Sequence, residues 1–270
     1  MCKLKSAIIL KDKIFMPDYE SHSKMLEELR ITDDYINASK VFVRAELSPE
    51  NGNVFSDIDS WEFCVDQDIT PEWFDEKDCT ERMRKAVKEW AKTHIFIGQN
   101  DLKISHGENI FIKDCEDVDI YGNTTVNNIC GNATVENICD NATVKNICDN
   151  ATVENICDDA TVKYIYDNAT VKYIYGNATV NNICGNATVK YIYGKATVES
   201  IYDKATVENI YGKATVNNIC DNATVISSLY SKWNNSASLI ISGNATFKDC
   251  YSRTIYQAGG WEFVEVKNNK

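Results

Sequence analysis

The sequence is poor in histidine and proline and has no long apolar run. Three histidines and three prolines occur among 270 residues. The histidines, at positions 22, 94 and 106, lie far apart, and none is at metal-ligand spacing from a cysteine. Histidine-based zinc sites and histidine-dependent catalysis are therefore disfavoured. We expect a structural role for His94, which lies at the end of a predicted helix.

The common catalytic signatures are also missing. The chain has no P-loop, no dinucleotide-binding GxGxxG, no HExxH and no nucleophile elbow. Its best paired carboxylates, Asp66 and Asp68, precede a predicted helix, where turn and capping roles explain them equally well. We therefore expect no enzyme activity, no catalytic residue and no cofactor. An enzyme with its site in the N-terminal region is the remaining alternative.

Basic residues are outnumbered, and the formal net charge is −12. Residues 1–120 contain 16 basic and 26 acidic residues, whereas residues 121–229 contain 7 and 11. Because phosphate contacts require a basic surface, direct binding of nucleic acid is not expected. The acidity lies mainly in the N-terminal region.

Eleven cysteines indicate a reducing compartment. The number is odd, and the apolar run at residues 7–10 is too short for a signal peptide. No run approaches transmembrane length either. We predict a cytoplasmic protein with free thiols and no membrane association. Cys139, Cys148 and Cys157 are nine residues apart, which is not a CxxC pattern, so we expect no metal site, although a ladder of thiols suits a soft metal.

A nine-residue repeat dominates the chain. Residues 122–229 contain twelve uninterrupted copies with the consensus (Gly/Asp)-(Asn/Lys)-Ala-Thr-Val-x-(Asn/Tyr)-Ile-(Cys/Tyr). Self-similarity at a short fixed period is typical of a solenoid. The turns lack the glycines of calcium-binding nonapeptide repeats, and three of them contain lysine (Lys195, Lys204, Lys213), so calcium is not expected.

The repeat predicts which side chains face the core. The run Ala-Thr-Val-x alternates with period two, so Ala at position three and Val at position five point inward. Ile at position eight also points inward, which breaks the alternation and predicts a bend near positions six and seven. Gly or Asp at position one, followed by Asn or Lys, predicts a turn.

One unit is too short to close a coil around a core. We favour two units per coil, by analogy with other nonapeptide solenoids, and three per coil remains an alternative. Two per coil makes six coils, about 29 Å long at a strand spacing of about 4.8 Å.

The chain divides into four predicted segments. An α+β domain (1–103) precedes joining strands (104–121), the solenoid (122–229) and a C-terminal cap (230–270). In the first domain we predict a hairpin, a short helix capped by Ser21 or Ser23, two further strands and a long helix. We expect the long helix to begin with Thr70 as N-cap and Pro71 as its first residue, with Met83, Val87 and Trp90 buried. The fold class is mainly β: a parallel β-solenoid with an α+β N-terminal domain.

Positions seven and nine of the repeat vary together. Each Tyr at position seven occurs with Tyr at position nine, and each Cys at position nine occurs with Asn at position seven. This coupling indicates two neighbours on one outward face, although drift among duplicated units explains it as well. Exposed tyrosines are enriched at protein interfaces. The predicted partner-binding residues are Tyr164, Tyr166, Tyr173, Tyr175, Tyr191 and Tyr193.

Three features together resemble a group of proteins encoded by bacteriophages and prophages of gut bacteria. They are the segment Trp61-Glu-Phe-Cys-Val-Asp-Gln-Asp-Ile-Thr-Pro-Glu-Trp73, the helix with Lys88-Glu89-Trp90, and the Asn-Ala-Thr-Val units. The resemblance covers most of the chain and implies an α+β domain followed by nonapeptide solenoid repeats in the cytoplasm of a host cell. It transfers no activity and no functional residue.

The leading hypothesis is a non-enzymatic binding protein that engages, and in a counter-defence role inhibits, a host protein. It would act through the solenoid face or the acidic N-terminal domain. One alternative is a structural or virion-associated spacer, and the sequence allows a homo-oligomer. A second is a DNA mimic, by architectural analogy with pentapeptide-repeat proteins. Ice binding through the Thr at position four is a third and weaker alternative.

Overall fold

The computed structural model describes residues 4–227, 239–249 and 254–266. The chain forms two compact units, Met1–Ile95 and Phe96–Lys270. Within the described residues, no helix combines the length and apolar character needed to cross a membrane.

The N-terminal unit is an α+β domain, as predicted. Its antiparallel sheet has the order β2-β1-β3-β4. The strands are β1 (Lys5–Leu10), β2 (Ile14–Phe15), β3 (Phe42–Ser48) and β4 (Glu62–Val65), and the helices are α1 (His22–Glu28), α2 (Tyr35–Ala38) and α3 (Glu76–His94). Short 3-10 helices span Glu50–Gly52 and Ile58–Ser60.

The long helix α3 begins later than predicted. Its N-cap is Asp75, whose carboxylate accepts the Asp78 N–H at 2.8 Å. Pro71 lies in a preceding turn, in which the Phe74 N–H donates to the Pro71 carbonyl oxygen. The prediction of Thr70 as N-cap was wrong because Asp75 offers the helix an equally good cap. The prediction of the buried helix residues is confirmed, since Met83, Val87 and Trp90 are all buried.

The second unit is a parallel β-solenoid of about 8 turns built from two ten-stranded sheets. We name the sheets after the parity of their strands: the even sheet has the order β23-β22-β20-β18-β16-β14-β12-β10-β8-β6, and the odd sheet β24-β21-β19-β17-β15-β13-β11-β9-β7-β5. The strands are β5 (Ile95–Ile97), β6 (Lys103–Ile104), β7 (Ile110–Lys113), β8 (Val118–Ile120), β9 (Thr125–Cys130), β10 (Thr134–Ile138), β11 (Thr143–Ile147), β12 (Thr152–Ile156), β13 (Thr161–Ile165), β14 (Thr170–Ile174), β15 (Thr179–Ile183), β16 (Thr188–Ile192), β17 (Thr197–Ile201), β18 (Thr206–Ile210), β19 (Thr215–Ile219), β20 (Thr224–Ser227), β21 (Leu239–Gly243), β22 (Thr246–Asp249), β23 (Thr254–Gln257) and β24 (Gly260–Val266).

Strand pairing fixes two units per coil. Val135 pairs with Val153, and Ile138 pairs with Ile156, so each strand lies beside the strand two units away. Structurally equivalent residues are therefore about 18 residues apart. The preferred prediction is confirmed, and three units per coil is excluded. The sheets also extend beyond the twelve repeats, because β5 to β8 precede Gly122 and add coils at that end.

The core consists of the predicted positions. Ala, Val and Ile at positions three, five and eight are buried in coil after coil, as in Ala133, Val135 and Ile138. The strand runs without a break from position four to position eight. Two successive residues, at positions six and seven, face outward between the buried Val and Ile. Each coil thus buries a layer of apolar side chains that a single unit could not cover.

Position one of each unit has a left-handed backbone conformation. Asp140 has φ 56° and Gly176 has φ +71°, and both lie in the turn between two strands. Gly adopts this conformation without steric cost, and Asp is among the few other residues that tolerate it. The aspartates also link coils, since the Asp149 carboxylate accepts the Gly131 N–H at 2.9 Å. These two properties explain why the repeat uses only Gly or Asp at position one.

The last part of the chain closes the solenoid. Gly243-Asn-Ala-Thr-Phe247 matches the repeat consensus once more: Gly243 ends β21, and Thr246 and Phe247 begin β22, in which Phe247 is buried and pairs with Val225. Strands β23 and β24 then run antiparallel to β22 and β21, whereas neighbouring strands from β6 to β22 are parallel. Leu229 and residues 230–238, assigned by sequence to the last unit and the cap, lie outside the described residues.

Candidate binding surface

Alternate units place their position-nine residues at opposite corners of the solenoid. The turn after each even strand forms one corner, and the turn after each odd strand forms the other. We call the first the tyrosine corner, defined by five tyrosines in three consecutive coils: Tyr173, Tyr175, Tyr191, Tyr193 and Tyr211. We call the other the opposite corner.

The tyrosines of the tyrosine corner stack on one another. The rings of Tyr175, Tyr193 and Tyr211 follow each other at centroid distances of 5.1 and 5.0 Å, with interplanar angles of 5° and 0°. Tyr173 stacks on Tyr191 at 5.3 Å. Tyr173 also meets Tyr193 edge-on at 6.3 Å, which shows that positions seven and nine are outward neighbours. All five side chains remain partly exposed.

The structure divides the six tyrosines predicted from the sequence. Tyr173, Tyr175, Tyr191 and Tyr193 lie together, whereas Tyr164 and Tyr166 belong to an odd-sheet unit and the opposite corner. The prediction missed Tyr211, which stacks on Tyr193. Tyr211 follows an Asn at position seven and so falls outside the coupled Tyr pattern. The sequence indicates Tyr211 only through its distance of 18 residues from Tyr193. Residues 18 apart are neighbours only when a coil contains two units.

The tyrosine corner is locally basic on an acidic chain. The turns that follow Tyr175, Tyr193 and Tyr211 begin with glycine (Gly176, Gly194, Gly212) and not with aspartate, and the nearby carboxylates are Glu208 and, in the preceding coil, Asp158. Lys172 contacts the Tyr173 ring at 5.1 Å and pairs with Glu154 at 2.9 Å. Three exposed lysines occupy the outward positions six and two of the same coils: Lys190, Lys195 and Lys213. This surface therefore combines stacked aromatic rings with positive charge, to which an acidic surface would be complementary.

Thiols continue the tyrosine column towards the N-terminal end of the solenoid. Cys139 and Cys157 occupy position nine in the two coils before Tyr175. Burial raises the pKa of the Cys139 thiol to about 11 and the pKa of the Tyr175 hydroxyl to about 12. Both groups are therefore protonated at neutral pH.

These pKa values predict alkaline destabilisation. In the unfolded chain the two groups titrate at ordinary pKa values of 9.0 and 10.0, below the folded values of about 11 and 12. The unfolded state thus releases protons first, and stability that is fully present below about pH 9 is lost as pH rises through the folded pKa values. Thermal denaturation followed by circular dichroism should show a falling Tm across this window. The variant Cys139→Ser/Tyr175→Phe should show a smaller fall, and equal falls in both proteins would contradict this assignment.

The histidines of the N-terminal unit have structural partners. His22 is buried, with Nδ1 3.2 Å from an Asp66 carboxylate oxygen and Nε2 3.2 Å from the Ala45 carbonyl oxygen. His94 stacks on Trp90 and lies with Nδ1 2.8 Å from the Trp90 carbonyl oxygen. Asp66 is thus engaged by His22, whose contacts join α1 to β3, and His94 Nε2 lies 3.4 Å from an Asp18 carboxylate oxygen.

An acidic cleft of about 540 Å³ is the second candidate surface. The exposed side chains of Asp66 and Asp68 line it, together with Asp33, Asp34 and Arg44. Tyr35, also at the cleft, is 72% exposed, and its neighbour Ile36 is 64% exposed. This surface combines acidic and apolar groups and has the opposite charge to the tyrosine corner.

Comparison with known proteins returned no matching family model, no matching curated protein and no matching solved structure.

Proposed function

We propose that this chain is a non-enzymatic binding protein that docks the tyrosine corner onto an acidic surface of another protein. In the phage-encoded setting that the sequence resemblance implies, the partner is a host protein in the host cytoplasm. Binding would block that protein, a counter-defence type of inhibition.

The stacking of the five tyrosines is the observation that supports this proposal. Tyr is enriched among residues that dominate binding energy, in part because its large ring loses little conformational entropy on binding. Here the rings are already ordered by stacking at about the spacing of the coils. A partner would therefore meet a prearranged surface, and the entropic cost of association would be reduced.

The lysines around the tyrosine corner are the reason for proposing an acidic partner. The chain as a whole is acidic, with a net charge of −12, so an acidic partner would be repelled by most of its surface. At the tyrosine corner, by contrast, Lys190, Lys195 and Lys213 would attract an acidic partner. Complementary charge at this corner would orient the encounter and raise the association rate, and high salt would weaken that effect.

The test uses substitutions that the repeat itself contains. The variant Tyr173→Asn/Tyr191→Asn/Tyr193→Cys replaces each tyrosine by the residue found at the same position of other units. Tagged wild-type and variant proteins are used to capture partners from a lysate of the bacterial host under reducing conditions. We expect one stoichiometric host protein with the wild type, and an affinity weaker by about 30-fold or more with the variant, because hot-spot residues each contribute about 2 kcal/mol.

A matched control changes the opposite corner in the same way. The variant Tyr164→Asn/Tyr166→Cys/Tyr202→Cys also removes three tyrosines, one at position seven and two at position nine, and should retain the partner. Equal loss in both variants would indicate a general effect on the fold. Retention by the tyrosine-corner variant would move the site to the acidic cleft. Capture of no partner by the wild type would favour a structural spacer.

A further inference from the structure

Coil closure brings together two cysteines that are well separated in sequence. Cys139 and Cys157 both occupy position nine, and their units stack because β10 pairs with β12. The next residue after Cys157 is Asp158, in the turn. The two sulfur atoms and a carboxylate oxygen of Asp158 all lie within 4.8 Å of one another.

This spacing suits a metal ion with thiolate ligands. With metal–sulfur bonds of about 2.3 Å, two sulfurs lie about 3.8 Å apart around a tetrahedral ion and about 4.6 Å apart around a linear one. The observed limit of 4.8 Å on these separations is compatible with both geometries. Two sulfurs and one carboxylate oxygen are a ligand set that zinc accepts, with a fourth position left open.

The surroundings of the three ligands favour a cation. Cys157 is 7% exposed, whereas Asp158 is exposed, so an ion can enter from the solvent side. The Cys157 thiol donates to Asp158 Oδ2 at 3.8 Å, and the same oxygen accepts the Asp140 N–H at 3.4 Å, which orients the carboxylate. Asp140, in the equivalent turn of the preceding coil, and Asp159, next to Asp158 in the same turn, add negative charge.

We propose that Cys139, Cys157 and Asp158 bind one thiophilic d10 cation of the zinc group. On binding, each thiol loses its proton to solvent and forms a metal–sulfur bond, and Asp158 supplies an oxygen ligand. The ion joins two adjacent coils.

The test is a Cd²⁺ titration of the reduced full-length protein, followed by ultraviolet thiolate-to-cadmium charge-transfer absorption. The variant Cys139→Ser/Cys157→Ser should bind one Cd²⁺ ion fewer than the wild type. Position nine accepts both Cys and Tyr in other units, so serine is expected to be tolerated there, and circular dichroism checks the fold. Zn²⁺ in excess should compete for the same site and reduce the charge-transfer absorption.

The matched control removes two thiols that cannot share an ion. Cys184 and Cys220 occupy the same repeat position on the opposite corner, but the coil of Tyr202 lies between theirs. The variant Cys184→Ser/Cys220→Ser should bind as many ions as the wild type. A second group, formed by Cys148, Asp149 and Asp167, is unchanged in every variant, so differences isolate the proposed site.

Asp158→Asn tests the oxygen ligand. Asp158 has φ 55°, a conformation that Asn also tolerates, so the turn should persist. We expect Cd²⁺ affinity at the site to fall at least about tenfold, since loss of even an outer-shell partner costs that much. Unchanged stoichiometry in Cys139→Ser/Cys157→Ser, or an equal loss in the control, would overturn the proposal.

Discussion

Replacing Gly176 by valine will destabilise the solenoid by about 3 kcal/mol or more. Gly176 has φ +71°, and a Cβ atom added there would lie 2.8 Å from the Asp158 backbone nitrogen of the preceding coil. A β-branched residue is strongly disfavoured at positive φ, and the atom it would meet is fixed backbone. Thermal and chemical denaturation of purified Gly176→Val should show the loss.

The control for this prediction is Gly176→Asp, because aspartate occupies position one in the two preceding coils, as Asp140 and Asp158. Asp158 itself lies above Asp140 with φ 55°, so this turn accommodates a Cβ atom when the residue tolerates the conformation. The new carboxylate could accept the Asp158 N–H, as Asp158 accepts that of Asp140. We expect a cost of about 1 kcal/mol or less. Equal destabilisation by Val and Asp would refute the argument from β-branching.

Replacing Ile174 by alanine will cost about 2–5 kcal/mol. Ile174 is fully buried, and it pairs in register with Ile156 and Ile192 in the coils on either side. Strand β14 is paired on both sides, with β12 and β16, so the surrounding strands cannot collapse into the space without breaking their ladder hydrogen bonds. The cost should therefore lie in the upper part of this range.

Hydrogen exchange provides a second measurement of the same change. A solenoid is stabilised mainly by contacts between neighbouring repeats, so the Ile174→Ala defect should accelerate exchange most in β12, β14 and β16. Ile174→Val removes only one methylene and should cost about 0.5–1.5 kcal/mol. Uniform acceleration across the whole solenoid would show that the coils unfold as a single unit.

The repeat made most of the solenoid predictable. Val135 and Ile138 show which positions are buried, and the Gly or Asp at position one identifies the turn. The choice between two and three units per coil required the strand register. The start of α3 was misjudged because Thr70-Pro71 and Asp75 are both good helix starts, and local sequence does not rank them.

The candidate site was less predictable than the fold because it depends on which units stack. Tyr164 and Tyr173 lie in units that are adjacent in sequence, but these units belong to different sheets. Tyr193 and Tyr211 are two units apart and stack face to face. The same holds for Cys139 and Cys157, whose proximity is invisible at a nine-residue spacing. Which residues are neighbours on the solenoid surface is therefore determined by the two-unit coil and not by the nine-residue repeat.

The two-unit coil also constrains how such a chain can change length. Loss or gain of a single unit within the array would transfer all later units to the other sheet, and a tyrosine such as Tyr211 would exchange corners with Tyr202. Loss or gain of 18 residues leaves both columns intact and changes only the number of coils. Relatives that keep the same surface should therefore differ in length by whole coils. A relative that differs by an odd number of nine-residue units should have a rearranged surface.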